Sequence, residues 1–425
     1  WNDFWMNTEG WNYAPSDHGL FLANVADTVK RFRNHPSIAL WCARNEGVPP
    51  EDINQGNDRL IRELDGTRFY QPNSRLVGLR DSGPWDRQPL EKYFNELNHG
   101  FSTEMGAPSI PSAEVMRTMM SSEDLWPPAD VWAYHDFHSK GALRQEALVR
   151  EINRRFGETK SLEEFCSKAQ LLNYETYRAI YEGFDSRLWH DCSGVLLWMS
   201  HPSWPSVVWQ LYTWDYEPNA SYFGAKKAAE PVHIQMNFPD CGITVVNHRF
   251  APLAGVCARA AVYDLSGRKV QDRQTSFDAP ANACTNLFAL AWPPTGAYLA
   301  KLTLCEYNGT PLSENFYWHA RDPEQLQELD SMEKVNLAGK LRLTAHRQSG
   351  VDCEIANPSH APALAIKLTL RNAETGKRIL PVYYDDNYFS LLPGESRVIH
   401  IESDSTAKPQ VTVDGWNVIS SMIGN

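Results

Sequence analysis

"RNHPSIALWCARNEG", residues 33–47, joins a short apolar run to an amide and a carboxylate. The apolar part, residues 37–42, has the length of one buried strand, and the Asn-His-Pro before it ends the preceding helical pattern. Asn45 and Glu46 follow the run almost directly. A buried strand that ends on polar side chains is typical of a parallel sheet, where function lies at the carboxyl ends of the strands.

The chain around this stretch alternates short apolar runs with amphipathic helical patterns as far as about residue 231. Because the apolar runs are continuous and helices separate them, we predict a parallel sheet covered by helices. The first five residues resemble the end of a strand with no initiator Met, so we expect the chain to be a fragment of a longer protein. Predicted helices cover residues 17–33, 51–64 and 161–188, and predicted strands cover 37–42, 67–74, 100–103 and 193–200.

The pattern changes after residue 231. Leu364, Ile366, Leu368 and Leu370 alternate with other residues as in an antiparallel strand, and turn sequences recur at short intervals. We therefore predict two immunoglobulin-like β-sandwiches. The predicted domains are a barrel part at 1–231, a sandwich at 232–321, a linker at 322–334 and a second sandwich at 335–425.

Composition argues against several classes of partner and cofactor. The formal net charge of −12 over 425 residues disfavours nucleic acid and anionic membranes as partners, since both require basic surfaces. No apolar run reaches the length of a membrane helix. The eight cysteines show no zinc spacing, and no phosphate-binding or dinucleotide-binding motif occurs, so we expect no metal and no cofactor. The sequence leaves open whether one or two disulfides form among the eight cysteines.

Two carboxylates are the candidate catalytic residues. Glu46 follows the first quoted strand, and Glu104 follows the predicted strand 100–103, directly before a Gly-Ala-Pro loop. Either acid alone could be an ordinary surface residue. Two acids at the carboxyl ends of strands in one sheet would face each other, and glycoside hydrolysis requires such a pair. The 15 tryptophans, several beside polar residues and prolines, suit a carbohydrate site but also ordinary packing.

The quoted stretch resembles the acid/base motif of glycoside hydrolase family 2, and "FSTEMG" (101–106) resembles its nucleophile motif. Three further segments are similar to the family in the same order: 163–183, 194–206 and 222–237. They are most similar to the branch of plant-type endo-β-mannosidases and exo-β-glucosaminidases. This resemblance implies an (α/β)8 TIM barrel, of which the chain holds the C-terminal part, with Glu46 ending the fourth strand and Glu104 the seventh. It also implies retention of configuration, with Glu46 as acid/base and Glu104 as nucleophile.

The resemblance also suggests substrate contacts. Asn45 would bind the sugar's 2-hydroxyl, and Trp198 would form part of the subsite floor. His99 is a candidate from its position alone, just before the predicted strand that leads to Glu104. Trp41 and Glu9 complete the candidates. The predicted activity is hydrolysis of β-mannosidic linkages of the Manβ1-4GlcNAc type, because residues 17–54 look most like endo-β-mannosidases. Exo-β-D-glucosaminidase, another family 2 β-glycosidase such as β-galactosidase, and a non-catalytic carbohydrate-binding protein stay open. The expected partners are an oligosaccharide and the N-terminal part of the same protein.

Overall fold

The computed structural model describes residues 1–7, 14–76, 79–137, 145–207, 209–343 and 350–424. These residues form two compact units, the first built from Trp1–Gly83, His99–Met105 and Asp191–Leu197 and the second from the rest of the chain. The helices are α1 (His18–Phe32), α2 (Glu51–Leu64), α3 (Leu90–Asn95), α4 (Ala113–Met119), α5 (Asp130–Trp132), α6 (Gln145–Phe156), α7 (Leu162–Asp185) and α8 (Ala220–Ala228). None of the helices described is long and apolar enough to cross a membrane.

Parallel strands form the frame of the first unit. In one sheet the order is β1-β2-β3, and in the other β4 pairs with β5. All these pairs are parallel, so the carboxyl ends of the strands in each sheet lie at one edge. The strands are β1 (Asn2–Asp3), β2 (Leu40–Cys42), β3 (Phe69–Gln71), β4 (Gly100–Met105) and β5 (Cys192–Leu197).

Helices α1 and α2 cover the first sheet as the sequence predicts. The Asp17 side chain accepts a hydrogen bond from the Leu20 N–H at 2.9 Å and so caps the start of α1. The strand predicted at 37–42 is shorter, because the Ile38 N–H donates to the His35 carbonyl and residues 35–38 form a turn. The core between these two helices and the sheet consists of Phe4, Met6, Phe21, Val25, Val29, Trp41, Ile53 and Ile61.

Helix α7 is the central helix of the second unit. Ser161 accepts a hydrogen bond from the Glu164 N–H, and the Glu164 carboxylate accepts from the Lys160 N–H at 2.8 Å, one residue before the position of a standard capping box. The helix ends at Asp185, three residues before the predicted end, because the following residues form tight turns. Nineteen of its 24 residues are buried, so it is covered on nearly every side.

The part of the second unit after residue 231 is mainly antiparallel β-structure, which confirms the predicted change of fold class. Two sheets, with orders β10-β7-β6 and β12-β11-β8-β9, precede two more with orders β13-β14-β18-β16 and β17-β15-β19-β20. The first set is β6 (Val232–Asn237), β7 (Gly242–Asn247), β8 (Leu253–Tyr263), β9 (Lys269–Ala279), β10 (Ala283–Ala289), β11 (Tyr298–Cys305) and β12 (Pro311–His319). The second set is β13 (Ala338–Leu343), β14 (Gly350–Ala356), β15 (Ala363–Asn372), β16 (Tyr383–Tyr384), β17 (Phe389–Leu391), β18 (Ser396–Glu402), β19 (Pro409–Asp414) and β20 (Ser421–Gly424).

The segment predicted as a linker, 322–334, contains a 3₁₀ helix, Pro323–Ser331, capped by the Asp322 side chain. Its Leu326 and Leu329 are buried, so this segment packs against the unit as an ordered element. The exact domain boundaries proposed from the sequence stay predictions. All eight cysteines lie in the described part of the chain, and all are free thiols.

Candidate active site

Glu46 lies in a tight turn just beyond β2. After the strand, the Ala43 N–H donates to the Gln71 carbonyl at 2.9 Å, and the Ser74 N–H donates to the Arg44 carbonyl at 3.1 Å. The chain therefore stays paired with the segment that follows β3 until it reaches Glu46. Glu46 itself has a φ of 55°, in the left-handed region that is uncommon for residues other than glycine. Such conformations cluster at functional sites.

The hydroxyl of Ser74 holds both polar residues of this turn. It accepts a hydrogen bond from the Glu46 N–H at 2.9 Å and donates to the Asn45 Oδ1 at 2.9 Å. Because Ser74 is only 3% exposed, solvent does not compete effectively for these bonds. The buried hydroxyl thus fixes the direction of the Glu46 main chain and the position of the Asn45 amide.

Glu104 lies within β4, one residue before the strand ends. Its carbonyl accepts from the Gly83 N–H at 2.7 Å, so the chain at Gly83 pairs with β4. The neighbouring Thr103 donates its hydroxyl hydrogen to the carbonyl of Ser74. Ser74 therefore contacts the Asn45–Glu46 turn through its side chain and the residue beside Glu104 through its main chain. This connection brings the two predicted catalytic acids into one locality of the first unit.

The carboxyl group of Glu46 is half-buried, and its Oε1 has no hydrogen-bond partner among the residues described. Buried polar oxygens normally have a partner, so this exception requires an explanation. A polar atom of a bound ligand would be a suitable partner. Arg75 adds positive charge nearby: its pKa is raised by its hydrogen bond to Asp81 and, more weakly, by the charges of Asp81 and Glu46.

The base of the turn is held by Arg44, which is only 4% exposed. Its Nε donates to the carbonyl of Asn7 at 2.9 Å, and its Nη1 donates to the carbonyl of Val48 at 3.0 Å. The guanidinium thus joins the chain on both sides of Asn45 and Glu46 to the segment after β1. This arrangement explains why an arginine precedes the Asn-Glu pair in the sequence.

Two predicted substrate contacts do not fit their positions. Trp41 is fully buried, stacks on Phe4 with ring centroids 5.8 Å apart, and donates its indole N–H to Asp65 at 2.8 Å. It is a core residue without exposed ring surface for a sugar. His99 precedes β4 at the end opposite Glu104; five strand residues span about 16 Å, so the two side chains lie far apart.

The other two candidates have different outcomes. Glu9 lies outside the described residues. Trp198 follows β5 and belongs to the second unit, where its half-buried ring packs against Trp209 at 4.6 Å and Trp85 at 6.1 Å between centroids. The main chain at Gly106 packs closely against the main chain at Trp198. A Cβ at position 106 would lie 2.0 Å from the Trp198 carbonyl oxygen, so only glycine fits there. The role of Trp198 in substrate binding stays a prediction.

Ser74 and Thr103 are the site residues that sequence reasoning missed. The only signal for Ser74 is its place in "QPNS" (71–74), directly after a predicted strand end in the barrel. Thr103 directly precedes Glu104, but nothing in the sequence indicates that its hydroxyl bonds the Ser74 carbonyl. Within the described residues, no group of His, Cys, Asp and Glu side chains is arranged to hold a metal ion.

Comparison with known families gives two matches. The TIM barrel domain of glycosyl hydrolases family 2 matches residues 8–138, which include Asn45, Glu46 and Glu104. The exo-beta-D-glucosaminidase Ig-fold domain matches residues 315–418, which lie in the antiparallel part of the second unit. Both matches agree with the fold classes described above.

Two curated relatives align with almost the whole chain. The mannosylglycoprotein endo-beta-mannosidase of Lilium longiflorum is 29% identical over 98% of this chain and 56% of its own length. The exo-beta-D-glucosaminidase of Streptomyces avermitilis is 27% identical over 97% of this chain and 51% of its own length. The chain thus spans about half the length of the curated relatives it matches.

Solved structures show the same fold. The exo-chitosanase CsxA of Amycolatopsis orientalis superposes with a TM-score of 0.87 at 23% identity, covering 97% of this chain and 55% of its own. The beta-D-mannosidase of Dictyoglomus thermophilum superposes with a TM-score of 0.79 at 20% identity, covering 99% of this chain and 53% of its own. These similarities establish the partial TIM barrel followed by immunoglobulin-like domains.

Proposed function

We propose that this chain belongs to glycoside hydrolase family 2, in the branch that holds the endo-β-mannosidases and exo-β-glucosaminidases, and that it carries the catalytic carboxylates of a retaining β-glycosidase. Glu46 is the proposed general acid and base, and Glu104 is the proposed nucleophile. The proposal concerns the whole protein, of which this chain supplies the segment with both acids.

The proposed reaction has two steps. First, Glu46 donates a proton to the glycosidic oxygen while the Glu104 carboxylate attacks the anomeric carbon, which releases the leaving group and forms a glycosyl ester. Glu46, now ionised, then removes a proton from a water molecule, and the oxygen of that water attacks the anomeric carbon and frees Glu104. The two inversions restore the original configuration. Retaining enzymes hold the two carboxyl groups about 5 Å apart for this purpose.

The contact of Ser74 with both halves of the site is the observation that carries this proposal. Its hydroxyl is hydrogen-bonded to Asn45 and Glu46, and its carbonyl accepts a hydrogen bond from Thr103, beside Glu104. Two acids that merely lay on the surface would not share a buried anchor of this kind. The Glu46 Oε1, which lacks a described partner, supports the proposed proton donation to a substrate oxygen.

The proposed substrate is a β-mannosidic linkage of the Manβ1-4GlcNAc type. This choice is supported by the similarity to the lily endo-beta-mannosidase over 98% of the chain. Exo-β-D-glucosaminidase activity is an equally supported alternative, because the Streptomyces relative and the matched Ig-fold domain carry that name. A panel of aryl β-glycosides with mannose, glucosamine, glucose and galactose, assayed on the full-length protein, separates these possibilities by the highest kcat/KM.

The catalytic assignment is tested by trapping the ester. A 2-deoxy-2-fluoro glycoside with a good leaving group should label a peptide that contains Glu104. In the full-length protein, Glu104→Ala should lower kcat by several orders of magnitude, and azide should partly restore turnover because it replaces the missing carboxylate. Glu46→Ala should retain turnover of aryl glycosides with acidic phenols and lose that of natural oligosaccharides, because only the latter need protonation.

Glu63→Ala, on the exposed face of α2, is the matched control and should behave as wild type. Labelling of another carboxylate would contradict the role of Glu104. Saccharide binding without labelling or turnover in the unmodified protein would instead identify a carbohydrate-binding protein without catalysis.

A further inference from the structure

Two cysteines face each other across neighbouring strands of the first β-sandwich region. Strands β8 and β11 run antiparallel, and their register sets Cys257 directly opposite Cys305. In the described strands, no other register places two cysteines opposite each other. Residues directly opposite in an antiparallel pair project to the same face of the sheet, so the two thiols are neighbours.

The spacing of such a pair suits a covalent bond. Opposite residues in antiparallel strands have Cα atoms about 4.5 Å or 5.5 Å apart, depending on the kind of pair. Disulfides span Cα distances of about 4.4–6.8 Å, so either kind of pair meets this requirement without movement of the strands. We propose that Cys257 and Cys305 are an oxidation site, at which a disulfide forms across β8 and β11.

Both thiols are accessible to a reagent in the described structure. Cys257 and Cys305 are partly exposed, and the same face carries Arg259, whose side chain is 47% exposed. The five cysteines at positions 42, 166, 192, 241 and 353 are buried. Cys284 is partly exposed as well, but it lies opposite Val246 and so has no thiol across from it.

The proposed chemistry is thiol–disulfide exchange with a small disulfide such as oxidised glutathione. One thiolate attacks the small disulfide, which forms a mixed disulfide and releases one small thiol. The second thiolate attacks the protein sulfur of that mixed disulfide and releases the other small thiol. The two cysteines lose two electrons and two protons, and the small disulfide gains both.

The rate of this exchange should rise with pH. Burial raises the pKa of the Cys305 thiol, and the neighbouring Cys257 thiol and the Glu314 carboxylate of β12 raise it further. Because the thiolate is the reacting form, a raised pKa lowers its population near neutral pH. Oxidation should therefore be slow at neutral pH and faster in mildly alkaline solution.

The experiment uses the folded full-length protein, fully reduced and then incubated with oxidised glutathione. After quenching with acid and alkylation in denaturant, two fewer of these eight cysteines should be alkylated than in the reduced sample. Peptide mapping should join the peptides that contain Cys257 and Cys305, and dithiothreitol should separate them. Cys257→Ser should abolish the joined species and leave glutathione on Cys305, whereas Cys284→Ser should leave the joined species unchanged.

A stable glutathione adduct on Cys257 or Cys305 of the unmodified protein, without closure, would overturn the proposal, since the second thiol would then be out of reach. Loss of two thiols at other positions would also overturn it. If neither thiol reacts in the folded protein but both react after unfolding, they are covered in the full-length molecule, and the proposal is wrong for the native protein.

Discussion

The Ser74 hydroxyl accepts one hydrogen bond and donates another, and these two bonds position the Asn45–Glu46 turn. The sequence predicted the acids because their spacing from strand ends is a local property. It could not predict Ser74, because the contact between position 74 and positions 45 and 46 exists only after β2 and β3 have paired.

We expect Ser74→Ala to lower kcat/KM of the full-length protein about tenfold or more, mainly through kcat. The change removes the hydrogen bonds that the Ser74 hydroxyl makes to the Glu46 N–H and to the Asn45 Oδ1, and each lost bond at a buried site costs about 1–3 kcal/mol. Steady-state kinetics on the best aryl glycoside measures the effect. Ser206→Ala is the control, since Ser206 is also buried but is bonded to Gln210. Equal kinetics for both variants would contradict the proposed role.

Trp41 and His99 show the limit of residue-level prediction. Both lie close in sequence to the acids, and closeness in sequence suggested closeness to the substrate. The structure separates them by two simple effects: Trp41 points into the core of its own sheet, and His99 lies at the amino end of β4. Successive side chains of a strand alternate between faces, so excluding Trp41 required knowledge of which face of β2 is covered. His99 could have been excluded from the sequence, because the predicted strand 100–103 already separates it from Glu104.

At the scale of single elements, α7 differs most from its sequence pattern. The apolar positions beginning at Leu162 and Phe165 predict one buried face, but polar residues of the opposite face are buried as well. Among them, Arg178 donates to the Asn315 Oδ1 and to the Phe316 carbonyl of β12, and Glu182 accepts from Tyr317. These partners lie more than 130 positions away, so the sequence of the helix gave no sign of them.

His233 of β6 joins the same buried group, with its ring between Glu182 at 3.1 Å and Glu230 at 3.2 Å. Burial alone would lower the pKa of His233, but the hydrogen bonds to Glu182 and Glu230 outweigh it and raise the pKa to about 9. The protonated imidazole is therefore stabilised in the folded state. In the unfolded chain the pKa of histidine is about 6.5.

The raised pKa predicts how stability depends on pH. The contribution of His233 to the free energy of unfolding is complete below about pH 6.5 and is lost as the pH rises through about 9. In the unmodified protein, the free energy of unfolding should fall between pH 6 and pH 10. In His233→Gln this fall should be smaller by up to about 3 kcal/mol, as measured by urea unfolding at the two pH values. His400→Gln, on a partly exposed histidine paired with Asp352, is the control. An unchanged loss in His233→Gln would refute the prediction.

At the scale of the whole chain, the sequence predicted the order of fold classes and missed how they are joined. The change of pattern near residue 231 correctly marked the start of the antiparallel strands. It gave no sign that α6 and α7 share one core with the last strands, in which Phe156 and Phe165 belong to the same cluster as Ile401. Apolar periodicity shows that a face is buried, not which element covers it.

Ion pairs form a second junction in this unit, between residues 215–217 before α8 and the region around β15. Arg378 binds Asp215 at 2.8 Å and is also paired with Glu217, while Lys367 of β15 binds Glu217 at 2.8 Å. The Arg378 and Glu217 side chains are only 9% and 8% exposed. Removing Arg378 would leave the buried Glu217 carboxylate with Lys367 as its remaining cation.

We expect Arg378→Ala to destabilise the protein by about 1.5–3 kcal/mol, because Asp215 and Glu217 lose charged hydrogen bonds while Glu217 keeps its pair with Lys367. Arg342→Ala is the matched control: its pair with Glu354 is exposed, and its loss should cost about 0–1 kcal/mol. Thermal unfolding followed by circular dichroism compares the two. Similar shifts in melting temperature would mean that the junction does not depend on these charges.

The contact of Arg178 with β12 has a consequence for evolution. If a gene crossover replaced the C-terminal domains with those of a distant relative, the guanidinium would keep its place inside α7 but lose the acceptors at Asn315 and Phe316. In such a hybrid the buried guanidinium would keep Glu182 of its own helix as a countercharge but would have fewer hydrogen-bond acceptors. When related proteins exchange their C-terminal domains, α7 and β12 should therefore be inherited together.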